Sequence, residues 1–160
     1  MIELTDPKWS ELKGNYGSGA LIAELIARAQ AGAPIDEWYE DLFQGLCHQY
    51  TVSEAAYAAA PHLVKIAASP EAPRMELLIL LGGCYAFSDA PNDAPIPAGL
   101  EEEWHAAARA AIPLLAELLA EPHSEEYELR YLLSCMAAFN GYKSLARAIE
   151  SLDVDTEGGE

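Results

Sequence analysis

Two stretches of the chain repeat one another. APHLVKIAASPEAPRMELLILL, residues 60–81, aligns with IPLLAELLAEPHSEEYELRYLL, residues 112–133, at an offset of fifty-two. Each carries two prolines nine residues apart, Pro61 and Pro70 in the first and Pro113 and Pro122 in the second, and each then reaches an arginine, Arg74 or Arg130. Such self-similarity constrains a chain of 160 residues strongly. A repeated helix pair buries its apolar face only by stacking on the next pair, so an α-solenoid is the expected architecture. The length leaves room for one domain or one short repeat array.

The rest of the chain reads the same way. Alternating apolar and polar runs are missing and Ala, Leu and Glu dominate, so the fold is expected to be all-α, with no β-sheet. Asp6-Pro7 suits an N-cap followed by proline at the first helical position. A first long helix is predicted over 18–31, with Leu21, Ile22, Leu25, Ile26 and Ala29 on its core face and Gly32 at its end. A second follows Pro34, with Trp38, Leu42, Phe43, Leu46 and Cys47 facing inward. Thr51 to Glu54 has the spacing of a capping box and predicts the start of a third helix, which runs to Ala68 and is bent by Pro61.

A fourth helix, from Arg74, contains Leu77-Leu78-Ile79-Leu80-Leu81 and is apolar nearly all round, which places it in the middle of the core. Residues 88–99 hold three prolines and two aspartates and form a surface connection. A fifth helix starts at Glu101, a sixth after Ser124 with Leu129, Leu132, Leu133, Met136 and Phe139 on its face, and Asn140-Gly141 stops it. A last helix carries Tyr142, Leu145, Ile149 and Leu152. Residues 1–152 are expected to make one domain of about three stacked helix pairs plus this C-terminal helix, and 153–160 an acidic flexible tail. Leu78, Leu81, Leu115 and Leu132 should be buried between the pairs.

On these motifs the chain resembles the HEAT-like repeats, in which the first helix carries a proline and the second begins with arginine. Pro61 and Pro113 match the proline, and Arg74 and Arg130 the arginine. Ser69-Pro70 and Glu121-Pro122 stand where the family has a turn aspartate. The stretch GLCHQYTVSEAAYAAAPHLVKI, residues 45–66, also resembles a segment of small bacterial HEAT-like proteins, built around an HQ-x-T-V turn. The resemblance implies an architecture; one fold hosts many roles.

Charge narrows the function. With 26 Asp+Glu against 9 Lys+Arg the formal charge is −17, which repels the phosphate backbone and anionic lipid, so neither nucleic acid nor a membrane is an expected partner. No basic-then-apolar leader opens the chain, and a cytoplasmic location is expected. The acids group at 36–41, 101–103 and 121–128, near helix starts, where they match the helix dipole and could also steer a basic protein. Aromatic residues interleave with the first group, giving Asp36, Glu37, Trp38, Tyr39, Glu40 and Asp41 as candidate partner-binding residues, joined by the turn His48, Gln49 and Tyr50. The expected activity is non-enzymatic protein binding, in the form of an immunity or antitoxin-like inhibitor or a scaffold.

The alternative is an enzyme centred on Cys47 and His48. Adjacent helix positions point about 100° apart, so on a helix these two would not face each other. A capping role for His48 at the helix end and a packing role for Cys47 explain both more simply. Cys47, His48, His62 and His105 lack the spacing of a zinc site, and neither a metal nor a cofactor is expected. The three cysteines imply no disulfide.

Overall fold

The structure is a computed structural model that describes residues 1–88, 94–123 and 125–152. The fold is mainly α. The described residues form seven α-helices: α1 (Gly19–Gln30), α2 (Tyr39–Leu46), α3 (Glu54–Ala67), α4 (Arg74–Phe87), α5 (Glu101–Leu119), α6 (Glu126–Phe139) and α7 (Lys143–Glu150). The expected absence of sheet is corrected by two short antiparallel ribbons. Strand β1 (Lys13–Gly14) pairs with β2 (Gly17–Ser18), and β3 (Cys47–His48) pairs with β4 (Thr51–Val52). The acidic tail and Ser124 lie outside the described residues, as does the middle of the proline-rich connection.

Local signals account for most boundaries. The Asp6 carboxylate accepts from the Lys8 amide at 2.9 Å and opens a 3₁₀ turn over Pro7–Glu11. Gly32, at φ 78°, adopts the left-handed conformation that ends α1. The second helix differs from its predicted form. Ile35–Glu37 is a 3₁₀ turn, Trp38 breaks the backbone at the junction, and α2 starts only at Tyr39.

The capping box does not form. Thr51 sits in the β4 ladder, Ser53 takes the N-cap position of α3, and the Glu54 carboxylate accepts from the Lys13 amide at 3.0 Å instead of reaching back to Thr51. A partner forty-one residues away in sequence wins over the local cap. The Asn15 side chain adds a bond to the Thr51 carbonyl, so the two ribbons brace each other.

Packing mirrors the duplicated stretches. The first holds α3 and α4 and the second α5 and α6; α3 lies on α5, α4 on α6, and the two helices of each stretch touch. Leu78, Leu81, Leu115 and Leu132 are all buried, as predicted. Helix α4 is central, with α3, α5, α6 and α7 around it. Tyr85 of α4 stacks on Trp104 of α5 with ring centres 3.7 Å apart and donates its hydroxyl to the Trp104 carbonyl. Burial drives the Tyr85 phenol far above its ordinary pKa. Where α4 meets α6, Gly82 has no side chain and an added Cβ would lie 2.2 Å from Cys135 Sγ, so glycine sets the spacing of these helices.

The arginines brace the turns. Arg74 Nε donates to the Ala67 carbonyl at the end of α3 at 2.9 Å, and its Nη1 reaches the Glu117 carboxylate of α5 at 2.7 Å. Arg130 lies one turn inside α6 and not at its head, and bonds the Leu152 carbonyl. Several leucines expected inside are exposed: Leu21 on α1, Leu129 and Leu133 on α6, and Leu145 and Leu152 at the C-terminal end.

Candidate functional site

The connection between β3 and β4 is two residues long, and both Gln49 and Tyr50 lie in the left-handed region, at φ 46° and 65°. Two positive φ values in a two-residue hairpin are the pattern of a type I′ turn, for which Asn-Gly is the favoured pair. For side chains larger than glycine this conformation costs on the order of 1–2 kcal/mol each. The chain keeps Gln and Tyr there nonetheless, with Gln49 exposed and Tyr50 62% exposed. The Tyr50 ring leans on Phe87 of α4 with centres 4.5 Å apart.

A line of hydrogen bonds runs from α2 to this turn. Gln44 donates from Nε2 to the Glu40 carboxylate at 2.8 Å, and its carbonyl oxygen accepts from His48 Nδ1. His48 also packs edge-on against Tyr16 at 4.9 Å between ring centres. Glu40 and Gln44 are one helical turn apart, so α2 supplies the line and the ribbon fixes its end. The line links Glu40 of the predicted acidic segment to His48 of the predicted turn; Asp36, Glu37 and Asp41 are exposed as well.

Beside the turn is a cavity of about 570 Å³, largely apolar, walled by Phe43, Ile79, Leu80, Phe87 and the Tyr50 ring. Its polar lining includes Gln49, Tyr131 and Glu150 of α7. Burial raises the Glu150 pKa, and the Arg130 charge opposes that shift. Cys47 and Cys135 also line it. Burial, reinforced by the Glu150 charge, pushes the Cys135 thiol up to about 12, which suppresses the thiolate.

Trp38 and Tyr39 are anchors of the interior, which corrects their place in the candidate surface. Trp38 is only 2% exposed and donates its indole N–H to the Ala33 carbonyl at 3.1 Å. Tyr39 donates its hydroxyl to the Glu76 carbonyl of α4 at 3.2 Å. Burial, with Glu76 nearby, pushes its pKa up to about 12. Trp104 is likewise buried. Cys47 and His48 occupy successive positions of a strand, so their side chains leave on opposite faces: Cys47 toward the cavity, His48 toward Gln44 and Tyr16. His48 bonds a side chain and not a free helix carbonyl, which replaces its expected capping role.

His62 is buried in α3, where its Nε2 bonds the Ile2 carbonyl at 2.8 Å, and His105 is exposed on α5. Among the described residues no group of three or more His, Cys, Asp or Glu side chains converges as a metal ion would require. Nor is any helix among them long and apolar enough to cross a membrane. Gln44, Tyr16 and the cavity walls carry no distinctive signal in the sequence. They come from separate parts of the chain, and of them Phe43, Cys47 and the run at Ile79 belong to an apolar pattern. Compared with protein-family models, with curated proteins and with solved structures, the chain matches none.

Proposed function

We propose that the chain is a non-enzymatic protein-binding domain of HEAT-like helical hairpins whose partner is a basic protein. An immunity or antitoxin-like inhibitor is the form this takes when the partner is itself an enzyme or toxin. The observation that carries the reading is the Gln49-Tyr50 turn. It holds an exposed aromatic ring in a costly backbone conformation at the mouth of an apolar cavity, in a ribbon whose other face is tied through His48 and Gln44 to the exposed Glu40 carboxylate. Aromatic anchors on rigid supports and acids at the rim are the parts of a recognition surface for Lys or Arg side chains. Backbone strain that a smaller residue would relieve fits a functional demand better than a structural one. The stacking of α3 on α5 and α4 on α6 supports the HEAT-like reading.

Affinity capture from the native cell, read by mass spectrometry at low and moderate salt, tests it. The captured partner should be basic and should bind more weakly as salt rises, because the Debye length falls to about 8 Å at physiological ionic strength. Replacing Asp36, Glu37, Glu40 and Asp41 together by Asn or Gln should lower the association rate more than it raises the dissociation rate. Tyr50→Ala should weaken binding about tenfold or more through faster dissociation. A partner whose affinity ignores all three changes binds elsewhere.

A further inference from the structure

Gly82 and Gly83 stand side by side in α4, and they differ in what surrounds them. Gly82 meets Cys135, which leaves no room for a side chain. At Gly83 nothing beyond the helix lies within 4 Å of the place a Cβ would take, and its φ is not left-handed. Alanine would favour the helix over glycine, so neither packing nor backbone geometry asks for glycine here. The space a side chain would enter is the cavity beside the Gln49-Tyr50 turn, which Gly83 lines. Folded chains leave few hollows unfilled, and this one, at about 570 Å³, falls within the roughly 300–1,000 Å³ of small-molecule sites.

The lining selects by charge. Phe43, Tyr50, Phe87 and Tyr131 contribute aromatic rings, and Leu80 and Cys135, both buried, contribute apolar wall. Glu150 is the one acid in the lining, and among the described residues no Lys, Arg or His joins it. Its carboxylate has neither a hydrogen bond nor an ion pair among those residues. Arg130 acts on it through space, being turned to the Leu152 carbonyl and to the Tyr131 ring, 4.8 Å from its centre.

A half-buried carboxylate without a partner loses hydration that the fold does not replace, which is why burial raises its pKa. A cation in the cavity would supply the missing partner through a charge-assisted hydrogen bond, while the electron-rich ring faces attract the same charge. An anion would be repelled. A neutral apolar ligand would leave the carboxylate as it is.

We infer that this cavity binds a small organic cation, an amine carried on an apolar body, with its ammonium on the Glu150 carboxylate and its body against the aromatic rings and Gly83. The ligand is a free small molecule, because the volume exceeds what one Lys or Arg side chain of a partner fills. The site shares Tyr50 with the protein-binding surface and does not rest on that reading.

Titration calorimetry of the full chain with three probes of one shape, 4-phenylbutylamine, 4-phenylbutanol and 4-phenylbutyrate, tests it. Moderate salt keeps the charge of −17 from gathering amines non-specifically. The amine should bind with a millimolar Kd or tighter, about tenfold or more better than the alcohol, and the butyrate least well. Glu150→Gln, which keeps the shape of the side chain, should bring the amine to the level of the alcohol and leave the alcohol unchanged. Gly83→Leu should weaken the amine tenfold or more while the melting temperature holds or rises. The comparison with Glu150→Gln decides by itself if Gly83→Leu does not fold.

The inference is overturned if no probe binds at millimolar concentration, if amine and alcohol bind alike, or if the amine keeps its advantage in Glu150→Gln. Capture of the basic partner should survive Gly83→Leu. A filled cavity that loses the partner as well makes a partner side chain the occupant and overturns the free ligand. Failure of the amine to bind leaves the salt response of partner binding untouched, so either reading can fail alone.

Discussion

Helices α4 and α6 open fifty-two residues apart, at matching places in the duplicated stretch, and are both fourteen residues long. One is enclosed on nearly every side and the other keeps a stripe of leucine in water. Shared leucines do not explain this, since each offers leucine at the same three positions, Leu77, Leu80 and Leu81 in one and Leu129, Leu132 and Leu133 in the other. The difference comes from the helices C-terminal to each: α4 has α5, α6 and α7 to cover it, and α6 has only the short α7. A helix in a stack has its burial decided by its neighbours, and its own apolar pattern only makes burial favourable.

Removing the matched leucines one at a time should give the widest contrast between the two helices. Leu77→Ala should cost about 2–5 kcal/mol, the transfer term plus a cavity that packed helices cannot fill. Leu129→Ala, its counterpart, should cost roughly 0.5 kcal/mol or less in dilute protein. Chemical denaturation measures both, and equal losses would mean that the exposed stripe is covered. Next in size is Gly82→Ala, where the new Cβ would meet Cys135 Sγ and Cβ at 2.2 and 2.7 Å. Alanine favours a helix by about 1 kcal/mol over glycine, yet overpacking should prevail and destabilise by roughly 1–3 kcal/mol. Pairing it with Cys135→Ala, which frees that space, should recover part of the loss.

Helix positions and their stops are legible in the sequence because their causes are local: Asp6 with Pro7, Gly32, Asn140 with Gly141, and the unbroken apolar run of α4. The β3–β4 ribbon is not. Gln-Tyr is no turn signature, and Thr51 and Glu54 imitate a cap whose acceptor is taken by Lys13 from another element. Trp38 and Tyr39 stand beside acids in the sequence and so read as surface anchors, while the break at Trp38 turns both rings inward. The cavity is illegible for a plainer reason. Phe43, Ile79, Tyr131 and Glu150 meet only after four helices pack.

A smaller effect probes the turn against the helix interior. Gln49→Asn should stabilise the fold by about 0.5 kcal/mol, because asparagine tolerates the left-handed region better and adds little freedom to the unfolded chain. Partner binding should persist, since the Tyr50 ring is kept. Thermal unfolding reads the gain; a loss would show that the Gln49 side chain itself supports the turn.

The least change is expected from pH, and it divides the two halves of the molecule. His62 of α3 is held neutral by burial, which lowers its pKa from 6.5, so the unfolded chain takes up the proton first. Its contribution is present above pH 6.5 and is lost as pH falls through the folded value. Glu150 of α7 is raised from 4.5, so the folded chain keeps the proton longer; its contribution is full below that value and is lost as pH rises through the folded one. The two slopes have opposite signs. His62→Gln should flatten the loss of stability on acidification below 6.5, and Glu150→Gln the loss on raising pH above 4.5. Melting temperatures of the two variants across that range separate the effects. If Glu150→Gln tracks the parent protein at every pH, the carboxyl facing the cavity is as well solvated as one on the surface, and the cavity is wetter than its apolar walls imply.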